Sequence, residues 1–212
     1  MEPKQSFYET QAKTIIRQLE KRRMEGIYCP TREDAVHTAM SLTAADTTVS
    51  FGGSMTLAET GILDALRQRN DIRLIDRSLA KTPEEVKQAY RDSFSTHTYF
   101  MSTNAITLDG QLVNVDGNGN RVAALIYGPD QVIIVAGMNK VAADTDDAIR
   151  RVHHIASPPN CIRLHKHTPC AATGICAECL GDDCICSQTV ITRRSGIVGR
   201  IKVLLVGEEL GY

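Results

Sequence analysis

Residues 47–66 read TTVSFGGSMTLAETGILDAL, and the order of the parts decides the architecture. Thr47–Phe51 is a short β-prone run rich in β-branched residues. Gly52-Gly53-Ser54 stops it abruptly, and a helix follows with Leu57, Ile62, Leu63 and Leu66 on one side. A strand, a tight glycine turn and a helix start form the unit from which α/β domains are built.

The same alternation extends in both directions. Upstream, Ile15, Ile16, Leu19 and Met24 give residues 8–25 a helical period, with Gly26 placed to end it. A second helix is expected from Thr31, with Glu33 and Asp34 in its first turn, where acids favour the dipole. Downstream, Ile72–Ile75 reads as a strand. Thr82-Pro83-Glu84-Glu85 is a strong helix start, predicting a helix to about Phe94, and Thr98–Met101 follows as a strand. Ile106–Leu108, the Asp109-Gly110 turn and Gln111–Val115 predict a hairpin. A glycine-rich turn at 116–120 leads to a short helix at 121–127. Val132–Ala136 is nearly all apolar, as in a strand covered on both faces. A helix from Asp144 to about Ala156 follows, and the chain closes with Ile191 and then a last core strand over Lys202–Gly207. The expectation is a single α/β domain over 1–212 with a mostly parallel sheet flanked by helices and one antiparallel hairpin. Residues 1–30 form its N-terminal helical segment, and 165–190 a cysteine-rich, metal-binding loop.

Composition narrows the partners. The formal net charge is −1, basic residues do not cluster and tryptophan is absent, so no nucleic acid is expected. No apolar signal core or membrane-length run is visible, which makes the cytoplasm the expected compartment. A homo-oligomer is compatible with this composition. No dinucleotide-binding fingerprint is present, which argues against a free-standing nicotinamide dehydrogenase.

Five of the seven cysteines, Cys170, Cys176, Cys179, Cys184 and Cys186, fall within TPCAATGICAECLGDDCIC. In a reduced compartment such density reads as metal-binding or redox-active rather than as a disulfide scaffold. Zinc would close the loop as a tetrahedral site. A [4Fe–4S] cluster would add electron transfer. Free redox thiols would instead make Cys176 or Cys179 thiolate-rich at neutral pH. His153, His154, His165 and His167 are nearby nitrogen donors.

Gly52-Gly53-Ser54 and the adjoining Met55 are ligand-binding candidates, because a strand-to-helix turn points backbone N–H groups at anions. Glu59 lies on the first turns of the following helix, where it could serve as a base near a substrate carbonyl. Asn114 interrupts an apolar strand, and a buried amide there needs a partner; Asn104 raises the same question. Glu59 and Asn104 are the catalytic candidates, and Asn114 and Lys140 join the ligand-binding set. Lys140 could pair with a carboxylate or phosphate, against the commoner exposed lysine.

THTYFMSTNAITLDGQLVNVDGNGNRVAALIYGPDQVIIVAGMNKVAADTDDAIRRV (96–152), FGGSMTL (51–57) and the tail Cys170…Cys176-x-x-Cys179…Cys186 together resemble the lactate utilisation (LUD) domain family. The chain is similar to its short, stand-alone branch with a cysteine tail. The resemblance implies a fold like that of sugar-phosphate isomerases, CoA-transferases and formyltetrahydrofolate cyclo-ligases. It also implies a part in oxidising lactate to pyruvate, as a redox or small-carboxylate-binding component beside redox partner subunits. The ligand would be a small carboxylate or phosphate-bearing metabolite. Within the family pattern Cys170, Cys176, Cys179 and Cys186 are the metal set, leaving Cys184 spare. The spacing C-x5-C-x2-C-x4-C-x1-C matches neither a ferredoxin run nor paired zinc knuckles. The alternative is a non-catalytic metabolite-binding or regulatory subunit with a structural zinc loop.

Overall fold

Apolar runs punctuated by glycine and proline become the strands of a central sheet in the computed structural model, which describes residues 2–212. The chain opens with α1 (Pro3–Lys21), β1 (Glu25–Cys29), α2 (Arg32–Ser41), β2 (Thr47–Phe51), α3 (Met55–Glu59), α4 (Ile62–Gln68) and β3 (Ile72–Ile75). It continues through α5 (Pro83–Asp92), β4 (Thr98–Met101), β5 (Ala105–Thr107), β6 (Leu112–Asp116), α6 (Asn120–Ile126) and β7 (Gln131–Gly137). Then come β8 (Val141–Ala142), α7 (Thr145–Arg151), α8 (Ser157–Arg163), α9 (Pro169–Thr173), β9 (Gln188–Thr192) and β10 (Ile201–Val206).

Six strands pair in the order β1-β10-β7-β4-β2-β3, every neighbour parallel. Period-two alternation sends β7 side chains to opposite faces. Val132 and Ile134 meet Ile15 and Leu19 of α1 and Leu125 of α6 on one side. Ile133 and Val135 meet Ala35 and Ala39 of α2 and Leu57, Ile62 and Leu66 on the other. Both faces are therefore covered, which explains why the run 132–136 is continuously apolar. The α/β architecture read from the alternation is the one observed.

A second sheet, ordered β8-β5-β6-β9, stands beside the first. Its centre is the expected hairpin, with Ala105 opposite Val113 and Ile106 opposite Leu112. Gly110 at the turn has φ +85°, and a Cβ there would come within 3.1 Å of the Leu19 nitrogen. Asn114 and its neighbours then pair with β9, where Ile191 faces Val113.

Three boundaries differ from expectation. The first helix stops at Lys21, and Gly26 lies inside β1 instead of ending a helix. A Cβ on Gly26 would sit 2.8 Å from Ile16 and 2.9 Å from Leu19, so glycine is there to let α1 lie on the strand. The helix after Ser54 breaks into α3 and α4 at Gly61, which takes φ +83°. The helix expected to end near Ala156 runs on through a π-helical turn, Val152–Ala156, into α8. Pro158 and Pro159 lack the N–H groups that an uninterrupted α-helix would use there. A π turn accommodates that loss without ending the rod.

Candidate functional site

Ligands of open α/β sheets bind beyond the carboxyl ends of the strands, where the strand order reverses. Here β2 continues outward to β3 on one side while β4 lies on its other side. A cavity of about 510 Å³ opens at this point. Gly53–Thr56 after β2, Ser102–Asn104 after β4 and Lys140 after β7 line it. So do Arg121 at the start of α6, Ser157 and Asn160 of α8, and Cys184–Ile185 of the cysteine loop. Five cations, Arg77, Arg121, Lys140, Arg163 and Lys166, border it against the carboxylates of Asp116 and Asp182. That excess favours an anion.

Arg121 organises the floor. Its guanidinium donates to Asn114 Oδ1 at 2.6 Å, Asn104 Oδ1 at 2.8 Å, the Val115 carbonyl at 2.9 Å and the Ser102 carbonyl at 3.0 Å. Asp116 lies 3.7 Å from its Nε, and 12% of the arginine side chain reaches solvent. Burial pulls the guanidinium below its ordinary pKa. One arginine thus serves the side-chain oxygens of both asparagines flagged in the sequence. Among the described residues Asn114 Nδ2 remains a buried donor without a partner. Gly52 allows this packing, since a Cβ on it would meet Tyr99 Oη at 3.0 Å and the Arg121 side chain at 3.5 Å. Gly53 leaves room for Arg77, whose guanidinium lies over the Tyr90 ring at 5.2 Å.

Lys140 is buried, at 3% exposure, rather than solvent-facing. Its Nζ donates to Ser102 Oγ at 3.2 Å. Ser102 Oγ donates to Thr56 Oγ1 at 3.3 Å, and Thr56 Oγ1 donates to the Leu210 carbonyl at 3.3 Å. Burial, then the charges of Arg151 and Arg121, bring the lysine down to about 7. Arg151 reaches the same region, donating to the carbonyls of Asn104 at 2.7 Å and Asn139 at 3.1 Å.

Of the residues picked out by sequence, Gly53, Ser54, Met55, Asn104 and Lys140 line the cavity. Gly52 and Asn114 stand behind its wall through their contacts with Arg121. Ser54 spends its hydroxyl as a helix cap, accepting from the Leu57 N–H at 3.2 Å. Glu59 accepts the Gly211 N–H at 2.7 Å, and Asn139 holds Leu210 and Gly211 through two further bonds. These contacts fix the C-terminal segment over Lys140. Arg121, Ser102 and Thr56 were not singled out from sequence. A cation in the first turn of a helix opposes the dipole, and at Arg121 that was the available signal.

The cysteines meet one another, a histidine and a hydroxyl. Cys170 Sγ donates to Cys161 Sγ at 3.6 Å, Cys176 lies 3.6 Å from His153 Nδ1, and Cys186 lies 3.3 Å from Ser157 Oγ. Cys161, outside the sequence cluster, joins the group. Thiolate donors suit zinc or an iron–sulfur cluster. Among the described residues no three His, Cys, Asp or Glu side chains converge as a ligand set. Burial and the neighbouring Cys184 push Cys179 up, the opposite of a thiolate-rich residue. His167 and Lys166 instead hold Asp183, both at 3.0 Å, and their hydrogen bonds, the His167 backbone N–H first, bring that carboxyl down to about 2.

Among the described residues no helix is long and apolar enough to cross a membrane. A search of the curated proteins matches none of them. Among solved structures, a DUF162 family protein from Deinococcus radiodurans is similar over 95% of this chain and 98% of its own, with 12% identity and a TM-score of 0.50. Ribose 5-phosphate isomerase from Plasmodium falciparum matches 53% of this chain and 52% of its own, with 15% identity and a TM-score of 0.35. The delta subunit of eIF2B from Chaetomium thermophilum matches 67% and 54%, with 18% identity and a TM-score of 0.33. The LUD domain profile matches residues 12–206, nearly the whole length. The chain belongs to the LUD domain family.

Proposed function

We propose that the cavity binds a small carboxylate-bearing metabolite, and that the chain serves lactate oxidation to pyruvate as its small-carboxylate-binding component. Membership of the family supports a lactate-utilisation-related role at family level. The observation that carries the finer reading is Lys140: a buried ammonium in the cavity wall with one hydrogen-bond partner, Ser102 Oγ. An ammonium has three donors, so two remain for a carboxylate. Arg121 adds charge but spends its own donors on the protein. Removing two electrons from lactate requires an acceptor, which redox partner subunits would supply.

Titration calorimetry with lactate, pyruvate and inorganic phosphate tests this. Lactate or pyruvate should bind to the wild type, and Lys140→Met should weaken binding at least about tenfold, the scale of one lost charge-assisted hydrogen bond. Equal affinity in the variant, or binding of neither acid, would sink the reading. Preferential phosphate binding would move it to a phosphate-bearing ligand.

Metal ligation by Cys170, Cys176, Cys179 and Cys186 is a separate proposal, supported by donor chemistry and requiring the loop to draw these four together. Metal analysis with visible spectroscopy on anaerobically prepared protein decides it. Cluster absorption favours electron transfer. Colourless protein with stoichiometric zinc favours the non-catalytic, metabolite-binding alternative. If neither metal is found, the ligand assignment fails.

A further inference from the structure

We propose that Lys140 is a carbonyl-trapping amine: its Nζ adds to the keto carbon of a 2-oxo acid in the cavity and forms an imine. This rests on the carboxylate-binding reading above and narrows its ligand class from small carboxylates to 2-oxo acids.

A lysine that merely attracts a carboxylate works best charged, and proteins usually keep it charged with exposure or an acidic partner. Lys140 has neither. It is buried, and Ser102 Oγ is its hydrogen-bond partner in place of a carboxylate. The charged groups facing it are Arg151 from α7, Arg121 from α6 and Glu59 from α3. The two guanidinium groups repel an ammonium, and Glu59 is already engaged by the Gly211 N–H. The cost of burying a cation among cations becomes useful when the neutral form has work to do. Burial and the two guanidinium groups therefore favour the free amine relative to an ordinary lysine.

The surroundings suit addition and dehydration. The amine stands in the wall of a cavity large enough for a three-carbon acid. Gly211 packs over it, where a Cβ would lie 3.4 Å from Nζ and 2.6 Å from Thr56 Oγ1. The Ser102–Thr56 hydroxyl chain begins at the amine and can pass a proton between nitrogen and the departing oxygen. In the addition the nitrogen lone pair forms the C–N bond and the keto oxygen becomes a hydroxyl. In the dehydration nitrogen loses its remaining proton and the C–O bond breaks, releasing one water. No electrons are gained or lost. A 2-hydroxy acid has no carbonyl and cannot react this way.

Reductive trapping tests the proposal. The full chain is incubated with pyruvate and cyanoborohydride, digested, and mapped by peptide mass spectrometry. A reduced pyruvate adduct should concentrate on Lys140, and lactate should give none. The trapping rate should level off above about pH 7, whereas an ordinary solvated lysine keeps gaining tenfold per pH unit up to about 10. Lys140→Arg should lose the adduct from the peptide carrying position 140, whatever its affinity for pyruvate. Should that variant not fold, the wild-type peptide map still decides. Pyruvate that binds without forming an adduct overturns the imine and leaves the binding reading intact. Adducts spread evenly over exposed lysines overturn it as well. Absence of any binding of lactate, pyruvate or phosphate overturns both.

Discussion

Lys140 occupies a place where a positive charge is disfavoured, and this has a consequence for stability as well as chemistry. Its folded value of about 7 lies below the ordinary 10.5. Between those values the unfolded chain holds the extra proton, so stability rises with pH across that window and the penalty is complete below 7. Lys140→Met removes the titrating group. In urea unfolding at a series of pH values, the margin of Lys140→Met over wild type should be largest below pH 7. It should narrow toward pH 10 by at most about 1.4 kcal/mol per pH unit. A margin independent of pH would show that the amine is solvated. Part of this site was legible. Asn114 announced itself by interrupting an apolar strand, and burial with a polar partner is what the structure gives it. The burial of Lys140 was not legible, because its cover comes from Ser102 just after β4 and from Leu210–Gly211 near the chain end. Neither is local in sequence.

Elements behave according to how much of their stability is local. Helix α5 has no buried residue, and its start carries a full capping box, with Thr82 accepting from the Glu85 N–H and Glu85 accepting in return. Its sequence, Thr-Pro-Glu-Glu, gave the start to the residue because capping is short-range chemistry. Thr82→Ala should cost about 1 kcal/mol, appearing in hydrogen exchange as faster amides over 83–92 while β7 and β10 amides change little. A loss spread evenly over the sheet would show that α5 is docked more firmly than its exposure indicates. Where tertiary contact decides, sequence reading failed. Gly26 looked like a helix end because glycine is a common terminator, yet its role is close approach of α1 to β1. The strands β8 and β9 were missed as partners of the hairpin, since two residues and a half-exposed run carry little pattern of their own.

The whole molecule is organised by one sheet with an apolar layer on each side. Ile133 and Ile134 are adjacent in β7 yet belong to opposite layers, and both are fully buried. Ile133→Ala and Ile134→Ala should each cost about 2–5 kcal/mol. Both variants should unfold in a single transition, with tyrosine fluorescence coinciding with backbone ellipticity. Separate transitions would mean the layers unfold independently. The alternation of strands and helices made this architecture readable, whereas the adjoining small sheet and the cavity between them depend on long-range pairing. The rod formed by α7, the π turn and α8 links these parts, with Arg151 beneath the lysine and Ser157 and Asn160 on the cavity wall. The π turn adds one residue to the winding, so everything after it is rotated by about 100° relative to an unbroken helix. That offset acts as a phase setting: it aims α8 at the cavity while Arg151 keeps its own aim toward Asn104. Moving the extra residue along the rod would turn one end against the other, making the angle of α8, and with it Cys161 and its thiol neighbours, a mechanical variable of the ligand pocket.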